Sequence, residues 1–529
     1  MTSYLARHIG RGGATPQTEP IAGTVPNSAG GYAFPVDDWM RLERFLILGS
    51  EGGTFYINEG KLTRESADAV ERCIAADGLR AVETIVAISV EGRAPKNDPA
   101  LFALAMAMKL GDDRTRRAAG DALHKVARTG THLFHAADFV QAFGGWGRGT
   151  KRAFADWYAR KPIDRLALQA VKYRQRDGWA HRDLLRLAHP LTAVDDAERR
   201  ALFDWICGRE KTAEALPAIV RGYEEANVEG VPSREIAALV RTYSLPREAV
   251  PIPALNSVEV WAALLSGMPL TAMIRSLAKM TAVGLLKPLG DAAMHVCRTV
   301  QDEAALKAAR VHPLALLLAQ RTYASGHGER GSLTWAPVQS IVDALDAGFY
   351  AAFRTIEPTG KRLLLGIDVS GSMEGNKIAG TSLTAREGAA AMALVTAATE
   401  QNYHLMGFSR GFMPLAISPR QRLGDVVRYM GTLGFQSTDC SLPMLYALEH
   451  GLEVDAFVIY TDAETYAGRM HPVQALQLYR TKTGIAAKLA VVAMTSNGFT
   501  IADPNDGGML DVVGFDADTP AVIADFIRR

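Results

Sequence analysis

The spacing of hydrophobic positions changes near residue 358, and this change divides the chain into two parts. From Asp37 to about Phe353, apolar residues recur every three or four positions, which predicts helices that each bury one face. The clearest of these segments are Ser66–Ile74, Asp98–Lys109, Asp113–Ala127, Arg148–Tyr158, Trp261–Met268 and Asp291–Ala309. Short helices with short connections and no strict repeat indicate an irregular α-solenoid of helix pairs, with a compact helical bundle as the alternative.

After Gly360 the pattern becomes an alternation of strands and helices. The predicted strands are Lys361–Asp368, Asn402–Phe408, Val454–Thr461 and Ala487–Thr495, with helical segments between them and a closing helix at Ala517–Arg529. This alternation predicts a doubly wound, mostly parallel α/β sheet. Residues 1–31 are rich in Gly, Pro, Thr and Ser, which predicts a flexible N-terminal arm. We therefore expect an arm at 1–31, a helical domain at 32–358 and an α/β domain at 359–529.

Composition supports a multidomain protein of the cell interior. A chain of 529 residues with 48% hydrophobic and 22% charged residues is globular and too long for a single core. Its four cysteines stand far apart and form no metal-binding spacing, so we expect reduced thiols. The N-terminus has no apolar signal core, and no apolar stretch approaches the length of a membrane span. These features predict a cytoplasmic protein with no membrane partner.

Positive charge is concentrated in one stretch of the helical part. The net charge of the chain is +1, but residues 141–190 contain 11 Lys and Arg against four Asp. A basic block of this kind is typical of a surface that binds polyanions, nucleic acid above all.

The first strand of the α/β part ends in a possible metal-binding motif. Asp368, Ser370 and Ser372 form a DxSxS turn, and Thr438 and Asp462 follow later strands of the same sheet. The loops that leave parallel strands converge at the carboxyl edge of the sheet, where ligands bind. Carboxylate and hydroxyl oxygens suit a hard divalent ion such as Mg²⁺. The alternative is an ordinary turn in which Asp and Ser satisfy backbone amides.

A second motif suggests hydrolase chemistry. Gly407–Gly411 matches the GxSxG elbow with Ser409 as nucleophile, and Asp462 and His471 follow in the hydrolase order. The elbow requires a helix directly after the serine, whereas Pro414 stands where its first turn would form. We therefore expect no catalytic site, and a Ser409 hydrolase remains the enzyme alternative.

The basic block also contains aromatic and imidazole side chains between Lys172 and His189. A helix over Leu166–Arg176 would place Lys172 and Arg176 on one face, one turn apart, where both can contact RNA phosphates. His189 precedes Pro190 at a predicted helix end, and Trp179 is expected in the core rather than stacked on a base. The alternative is a solvated helix face without a ligand.

Several long stretches resemble the Ro autoantigen family, in particular its bacterial members. In the helical part they are 41–54, 172–189, 268–280 and 311–331, and in the α/β part 357–373, 437–444, 461–465 and 494–504. The helical part is similar to the TROVE domain of this family. The remainder is similar to a von Willebrand A domain with a metal-ion-dependent adhesion site. The resemblance is weakest over roughly 190–250 and the first 30 residues.

The resemblance implies a HEAT-like helical ring closed by a Rossmann-like von Willebrand A domain. It implies that Lys172, Arg176 and His189 bind Y RNA, and that the ring holds 3′ ends of misfolded or precursor RNA. It also implies an exoribonuclease partner such as polynucleotide phosphorylase, with roles in RNA quality control, rRNA maturation and stress survival.

For the metal site the resemblance implies one divalent ion, Mg²⁺ with Mn²⁺ or Ca²⁺ as alternatives. Ser370, Ser372 and Thr438 would bind it directly, and Asp368 and Asp462 through coordinated water. The site could then accept an acidic group of a protein ligand. A protein–protein adhesion module that uses this site without any RNA role is the third functional class.

Overall fold

The structure is a computed structural model of the chain. It describes residues 14–48, 67–94, 96–193, 195–209, 215–309, 311, 313–328, 332–352, 357–375, 383–408, 411–418, 420–433, 438–494, 498–513 and 519–528.

The N-terminal part is an array of short helices in which each helix packs on its near neighbours in sequence. These helices are α1 Asp38–Leu48, α2 Asp68–Glu91, α3 Asp98–Leu110, α4 Asp113–Val126, α5 Gly130–Ala142, α6 Arg148–Arg160, α7 Ile163–Lys172, α8 His181–Ala188, α9 Ala197–Ile206, α10 Ala218–Ala226, α11 Ser233–Tyr243, α12 Val258–Leu265, α13 Leu270–Ala282, α14 Asp291–Val300, α15 Glu303–Ala308, α16 Pro313–Ser325 and α17 Gln339–Ala351. Two 3-10 helices, Arg247–Ala249 and Ile252–Asn256, connect α11 to α12.

The predicted helix over Asp291–Ala309 is interrupted. It divides into α14 and α15 because the Asp302 carboxylate accepts a hydrogen bond from the Ala305 backbone NH (3.0 Å) and caps a new helix.

The C-terminal part is a six-stranded sheet with helices on both faces. Its strands, numbered along the whole chain, are β5 Arg362–Asp368, β6 Asn402–Phe408, β7 Phe412–Pro414, β8 Ala456–Thr461, β9 Lys488–Ala493 and β11 Met509–Val513. The order across the sheet is β11-β9-β8-β5-β6-β7, parallel except for β7. The helices are α18 Ser372–Gly375, α19 Ala385–Thr399, α20 Leu423–Gly431, α21 Leu442–Glu449, α22 Pro472–Thr483 and α23 Thr519–Arg528. The chain leaves β5 towards β6 and leaves β8 towards β9, so the strand order reverses between β5 and β8.

Both ends of the helical array contact the α/β domain, which closes the ring. At the first end, Arg44 of α1 donates to the Asp511 carboxylate of β11 (2.6 Å) and to the Phe499 carbonyl (3.0 Å). At the last end, Arg321 of α16 forms an ion pair with Glu387 of α19. One continuous apolar core runs through the array to the sheet face that carries Leu363, Leu365 and Ile367. The predicted helical ring followed by a doubly wound α/β domain is confirmed.

The segment before the helical array packs on the α/β domain. β1 (Val25–Pro26) pairs with β2 (Tyr32–Pro35), and β2 pairs with β10 (Phe499–Thr500). The expectation of a flexible arm is therefore corrected for residues 14–31, because backbone and side-chain hydrogen bonds hold this segment to residues more than 400 positions away. Residues 1–13 lie outside the described residues.

The contact between α1 and β11, which closes the ring at the first end of the helical array, depends on a buried ion pair. The Arg44 and Asp511 side chains are 1% and 8% exposed, and burial raises the pKa of Asp511 although the Arg44 charge lowers it. We expect Arg44→Ala to destabilise the protein by about 3–5 kcal/mol, because it leaves a buried carboxylate without its cation. Denaturant unfolding measures this loss. The double variant Arg44→Met/Asp511→Leu is the control and should recover most of it. An Arg44→Ala protein as stable as the wild type would contradict the role of this pair.

Candidate metal centre and nucleic-acid surface

The two carboxylates of the DxSxS region meet where the strand order reverses. Asp368 ends β5, and Asp462 directly follows β8, its parallel neighbour. The two side chains are 0% and 1% exposed. The Thr461 hydroxyl donates to Asp368 Oδ2 (2.7 Å), so the end of β8 is hydrogen-bonded to the end of β5. This is the crevice in which doubly wound sheets bind their ligands.

The three hydroxyl side chains predicted as metal ligands lie at the same edge of the sheet and are also buried. They belong to Ser370, Ser372 and Thr438. The Ser370 backbone NH donates to Asp368 Oδ1 (2.9 Å), and the Ser370 and Ser372 hydroxyls are 3.0 Å apart. Ser372 also hydrogen-bonds Asp462 through its side chain. The Thr438 carbonyl accepts from backbone NH groups of the loop that follows Asp462 (3.0 and 3.1 Å). The structure thus brings the predicted site residues to one edge of the sheet.

A buried arginine that the sequence did not single out supports the DxSxS loop. Arg386, in the first turn of α19, is 2% exposed and donates to the Ser370 carbonyl (3.1 Å) and to Glu374 (3.0 Å). An arginine in a helical Ala-rich segment carries no local signal for this contact, because the contact depends on how α19 packs against β5.

The electrostatics of the pair favour a bound cation. Burial, and then the neighbouring charge of Asp462, raise the pKa of Asp368 above its usual range. Burial also raises the pKa of Asp462, while the Ser372 hydrogen bond lowers it. A divalent ion would lower the pKa of both carboxyl groups, because it stabilises their charged forms. Two buried carboxylates beside three hydroxyls are a hard oxygen donor set, so these residues fit Mg²⁺. Within the described residues, no cluster of three or more His, Cys, Asp or Glu side chains offers a metal site of another kind.

The described residues on either side of Ser409 do not form the strand–turn–helix of a nucleophile elbow. Ser409 itself lies outside the described residues. β6 ends at Phe408 and pairs antiparallel with β7, which begins at Phe412, so the residues between them join two strands rather than a strand and a helix. The His471 ring faces the Glu19 carbonyl (2.8 Å).

The basic segment around residue 175 forms a hairpin instead of the predicted helix extension. α7 ends at Lys172, and β3 (Gln175–Arg176) pairs antiparallel with β4 (Trp179–Ala180). Asp177 and Gly178 form the turn with φ values of 50° and 79°. The expectation that Lys172 and Arg176 share a helix face is therefore wrong, because Tyr173 already leaves the helical conformation (φ −119°, ψ 82°) and Arg176 lies in a strand.

The hairpin nevertheless exposes the predicted cations. The side chain of Arg176 is 62% exposed, and Lys172 is half-buried with its ammonium 5.3 Å from the centre of the Tyr173 ring. Trp179 packs on the core against Trp146, with ring centroids 5.5 Å apart, as expected for a structural residue. Arg174, Arg182 and Arg186 add exposed positive charge on the same segment.

His189 ends α8 in the left-handed conformation, with a φ of 48°. Its backbone NH donates to the Leu185 carbonyl (3.0 Å), and its side chain is exposed. The predicted helix end before Pro190 is therefore present. β3, β4 and α8 follow α7 without a break, so Lys172, Arg176 and His189 lie on one continuous stretch of the chain.

A histidine of α5 anchors the turn of this hairpin. The His135 ring lies between two carboxylates, with Nδ1 2.6 Å from Asp98 of α3 and Nε2 3.3 Å from Asp177. The hydrogen bond and the charge of Asp98, and then the charge of Asp177, raise the pKa of His135 against the opposing effect of burial. Sequence analysis missed this contact because the three residues lie in separate elements.

Two domain families match the chain. The TROVE domain matches residues 25–224 and 242–322, and the Ro60 vWA domain matches residues 362–527. The unmatched residues 225–241 fall where the resemblance noted in the sequence is weakest. Fold and site thus define a protein that joins a TROVE helical domain to a von Willebrand A domain.

Individual relatives resemble the chain over nearly its whole length. It is 44% identical to the RNA-binding protein RO60 of Deinococcus radiodurans over 519 residues, 97% of each chain. It is 35% identical to the RNA-binding protein RO60 of Caenorhabditis elegans over 582 residues, 96% of this chain and 90% of the relative. The crystal structure of the Deinococcus radiodurans RO (RSR) protein matches with a TM-score of 0.71 and 43% identity, covering 93% of this chain and 99% of that one. The protein belongs to the Ro60 family.

Among the described residues, no helix combines the length and the apolar character that a membrane crossing requires.

The anchor at His135 predicts a pH dependence of stability. The pKa of His135 is raised in the folded protein, so its contribution to stability is complete below the unfolded value of about 6.5. That contribution is lost as the pH rises through the folded pKa. We expect the stability difference between wild type and His135→Gln to be largest near pH 6 and to shrink towards pH 9. Denaturant unfolding at several pH values measures it. A difference that stays constant with pH would show that the charge of His135 is not involved.

Proposed function

We propose that this protein is a non-catalytic RNA-binding scaffold. Small non-coding Y RNA binds the outer surface formed by Lys172, Arg176 and His189. The observation that carries the proposal is the basic segment that runs from the hairpin β3–β4 into α8 and exposes Arg174, Arg176, Arg182 and Arg186. The names of the two relatives, both RNA-binding proteins, support it.

The geometry of the hairpin suits contacts to a phosphate backbone. Trp179 and the Asp177–His135 contact fix the hairpin to the helical array, so its exposed cations meet RNA with little loss of conformational freedom. Such contacts position structured RNA and give affinity, whereas sequence is read from exposed bases. A double-helical stem bound through its backbone is the ligand that this surface fits.

Family membership extends the proposal to further partners. Single-stranded 3′ ends of misfolded or precursor RNA would enter the ring, and an exoribonuclease such as polynucleotide phosphorylase would act on them. The protein would then serve in RNA quality control, rRNA maturation and stress survival in the cytoplasm. Closure of the ring at α1 and at α16 supports a role in which RNA threads through the protein.

The C-terminal domain would bind one divalent ion, Mg²⁺ in preference to Mn²⁺ or Ca²⁺. The ion would be held by Asp368, Ser370, Ser372, Thr438 and Asp462, and it would offset the charge of two buried carboxylates. An acidic group of a protein ligand could complete its coordination. However, the five side chains are 0–6% exposed, which leaves little of their surface accessible to such a group.

The RNA surface yields a test in the salt dependence of binding. Replacing Lys172 and Arg176 together by Ala should remove about two phosphate contacts and lower the slope of log affinity against log salt by roughly 1.5–2 units. At moderate salt, binding of a structured Y-like RNA should weaken about tenfold or more. Filter retention at several salt concentrations measures both quantities.

A matched control is Arg428→Ala, which removes an exposed cation of the α/β domain. It should change neither quantity, and melting should show that both variants fold, since exposed cations add little stability. An unchanged slope in the folded double variant would place the RNA surface elsewhere.

The metal site has its own test. Asp368→Ala and Ser372→Ala should each abolish divalent-ion binding, because each removes an oxygen donor, whereas RNA affinity should stay the same. Isothermal calorimetry with Mg²⁺ or Mn²⁺ measures the binding. Thr396→Val is the control, since it removes a buried hydroxyl that bonds Tyr460 outside the donor set. If both site variants bind the divalent ion with wild-type affinity, the assignment of the metal site is refuted.

A further inference from the structure

The three loops that converge on the metal centre are held by different parts of the chain. The DxSxS loop is held from within its own domain, by Arg386 at the Ser370 carbonyl. The loops that carry Thr438 and Asp462 are instead contacted by residues 14–31, the segment that precedes the helical array.

Gln17 lies between these two loops, and its side-chain amide and its backbone NH all form hydrogen bonds there. Its side chain is 0% exposed, and its Nε2 donates to Asp439 Oδ1 (2.9 Å) and to the Met470 carbonyl (2.8 Å). Its Oε1 accepts from the Thr465 hydroxyl, and its backbone NH donates to the Gly468 carbonyl (2.9 Å). Asp439 directly follows Thr438, and Thr465 stands three residues after Asp462.

A second group of contacts fixes the loop after Asp462. Asn27 Nδ2 donates to the Thr465 carbonyl (2.7 Å), and the Ala29 backbone NH donates to Glu464 Oε2 (3.2 Å). The Glu464 backbone NH in turn donates to Asp462 Oδ1 (3.1 Å). The approach is close, because a Cβ on Gly31 would stand 2.0 Å from the Thr465 carbonyl oxygen.

We propose that the N-terminal segment is a structural part of the metal centre, in which Gln17 and Asn27 are positioning residues for Thr438 and Asp462. Side chains that orient metal ligands from behind typically change metal affinity about 10–100-fold when removed. The inference rests on the proposed metal site. It adds that ion affinity depends on a segment far from the DxSxS motif in sequence.

The test compares Gln17→Ala with Gln474→Ala in the full-length chain. Gln474 accepts from the Thr15 backbone NH (3.1 Å) and from the His471 backbone NH (3.4 Å) at the start of α22, so its loss loosens the same segment without removing a hydrogen bond to Asp439 or Thr465. We expect Gln17→Ala to weaken Mn²⁺ binding about tenfold or more, and Gln474→Ala to leave it unchanged. Calorimetry gives the affinity, and melting in the presence of EDTA reports the fold. A folded Gln17→Ala protein with wild-type affinity would overturn the proposal.

A second measurement needs no variant at residue 17. Because linkage is reciprocal, a segment that strengthens ion binding must itself be stabilised by the ion. Mn²⁺ should therefore slow hydrogen exchange at the Gln17, Gly31 and Tyr32 amides of the wild type, but not in Ser372→Ala. If the wild type binds Mn²⁺ and these amides exchange at the same rate, the segment plays no part in the site. If the wild type binds no Mn²⁺, or Ser372→Ala binds it as well, the metal proposal itself fails, and this inference with it.

Discussion

A stack of helix pairs leaves an apolar face uncovered at each end, and this chain covers both ends with the same α/β domain. α1 meets β11 through the buried Arg44–Asp511 pair, and α16 meets α19 through Arg321 and Glu387. The apolar side chains of the array and of one sheet face form a single core. The ring and the placement of the N-terminal segment follow from this closure, since the start of the array must lie beside the sheet.

The candidate metal centre depends on the same arrangement. Two carboxylates buried at a strand-order reversal are costly unless a cation or hydrogen bonds offset their charge. Hydroxyl groups of Thr461 and Ser372 bond the two carboxylates, and Arg386 supports the DxSxS loop from behind. The remaining support comes from the segment before α1, which lies against the sheet because α1 docks there. A domain that appears self-contained in sequence is therefore completed by the other end of the chain.

Local signals in the sequence were sufficient for most of the regular elements and for the choice of the candidate site residues. The apolar runs of β5 and β8 and the Thr384 cap of α19 are encoded within a few positions, and so is the DxSxS turn. The pairing of β2 with β10 and the contacts of Gln17 join residues more than 400 positions apart, where polar short segments carry no periodic signal. The roles of the metal and RNA residues stay predictions, because the structure fixes where those residues lie and not what they bind.

The hairpin between α7 and α8 shows how a small conformational difference changes a functional argument. Residue types that favour a helix continue to Arg176, but the Asp-Gly pair that follows prefers the positive φ values of a tight turn. The chain therefore reverses, and Arg176 is presented by a strand instead of a helix face. A helix would have fixed its spacing from Lys172 through backbone hydrogen bonds alone. In the hairpin that spacing depends on tertiary contacts, namely Trp179 against Trp146 and Asp177 against His135. The proposed RNA surface thus owes its shape to the core and to α5 as much as to its own sequence.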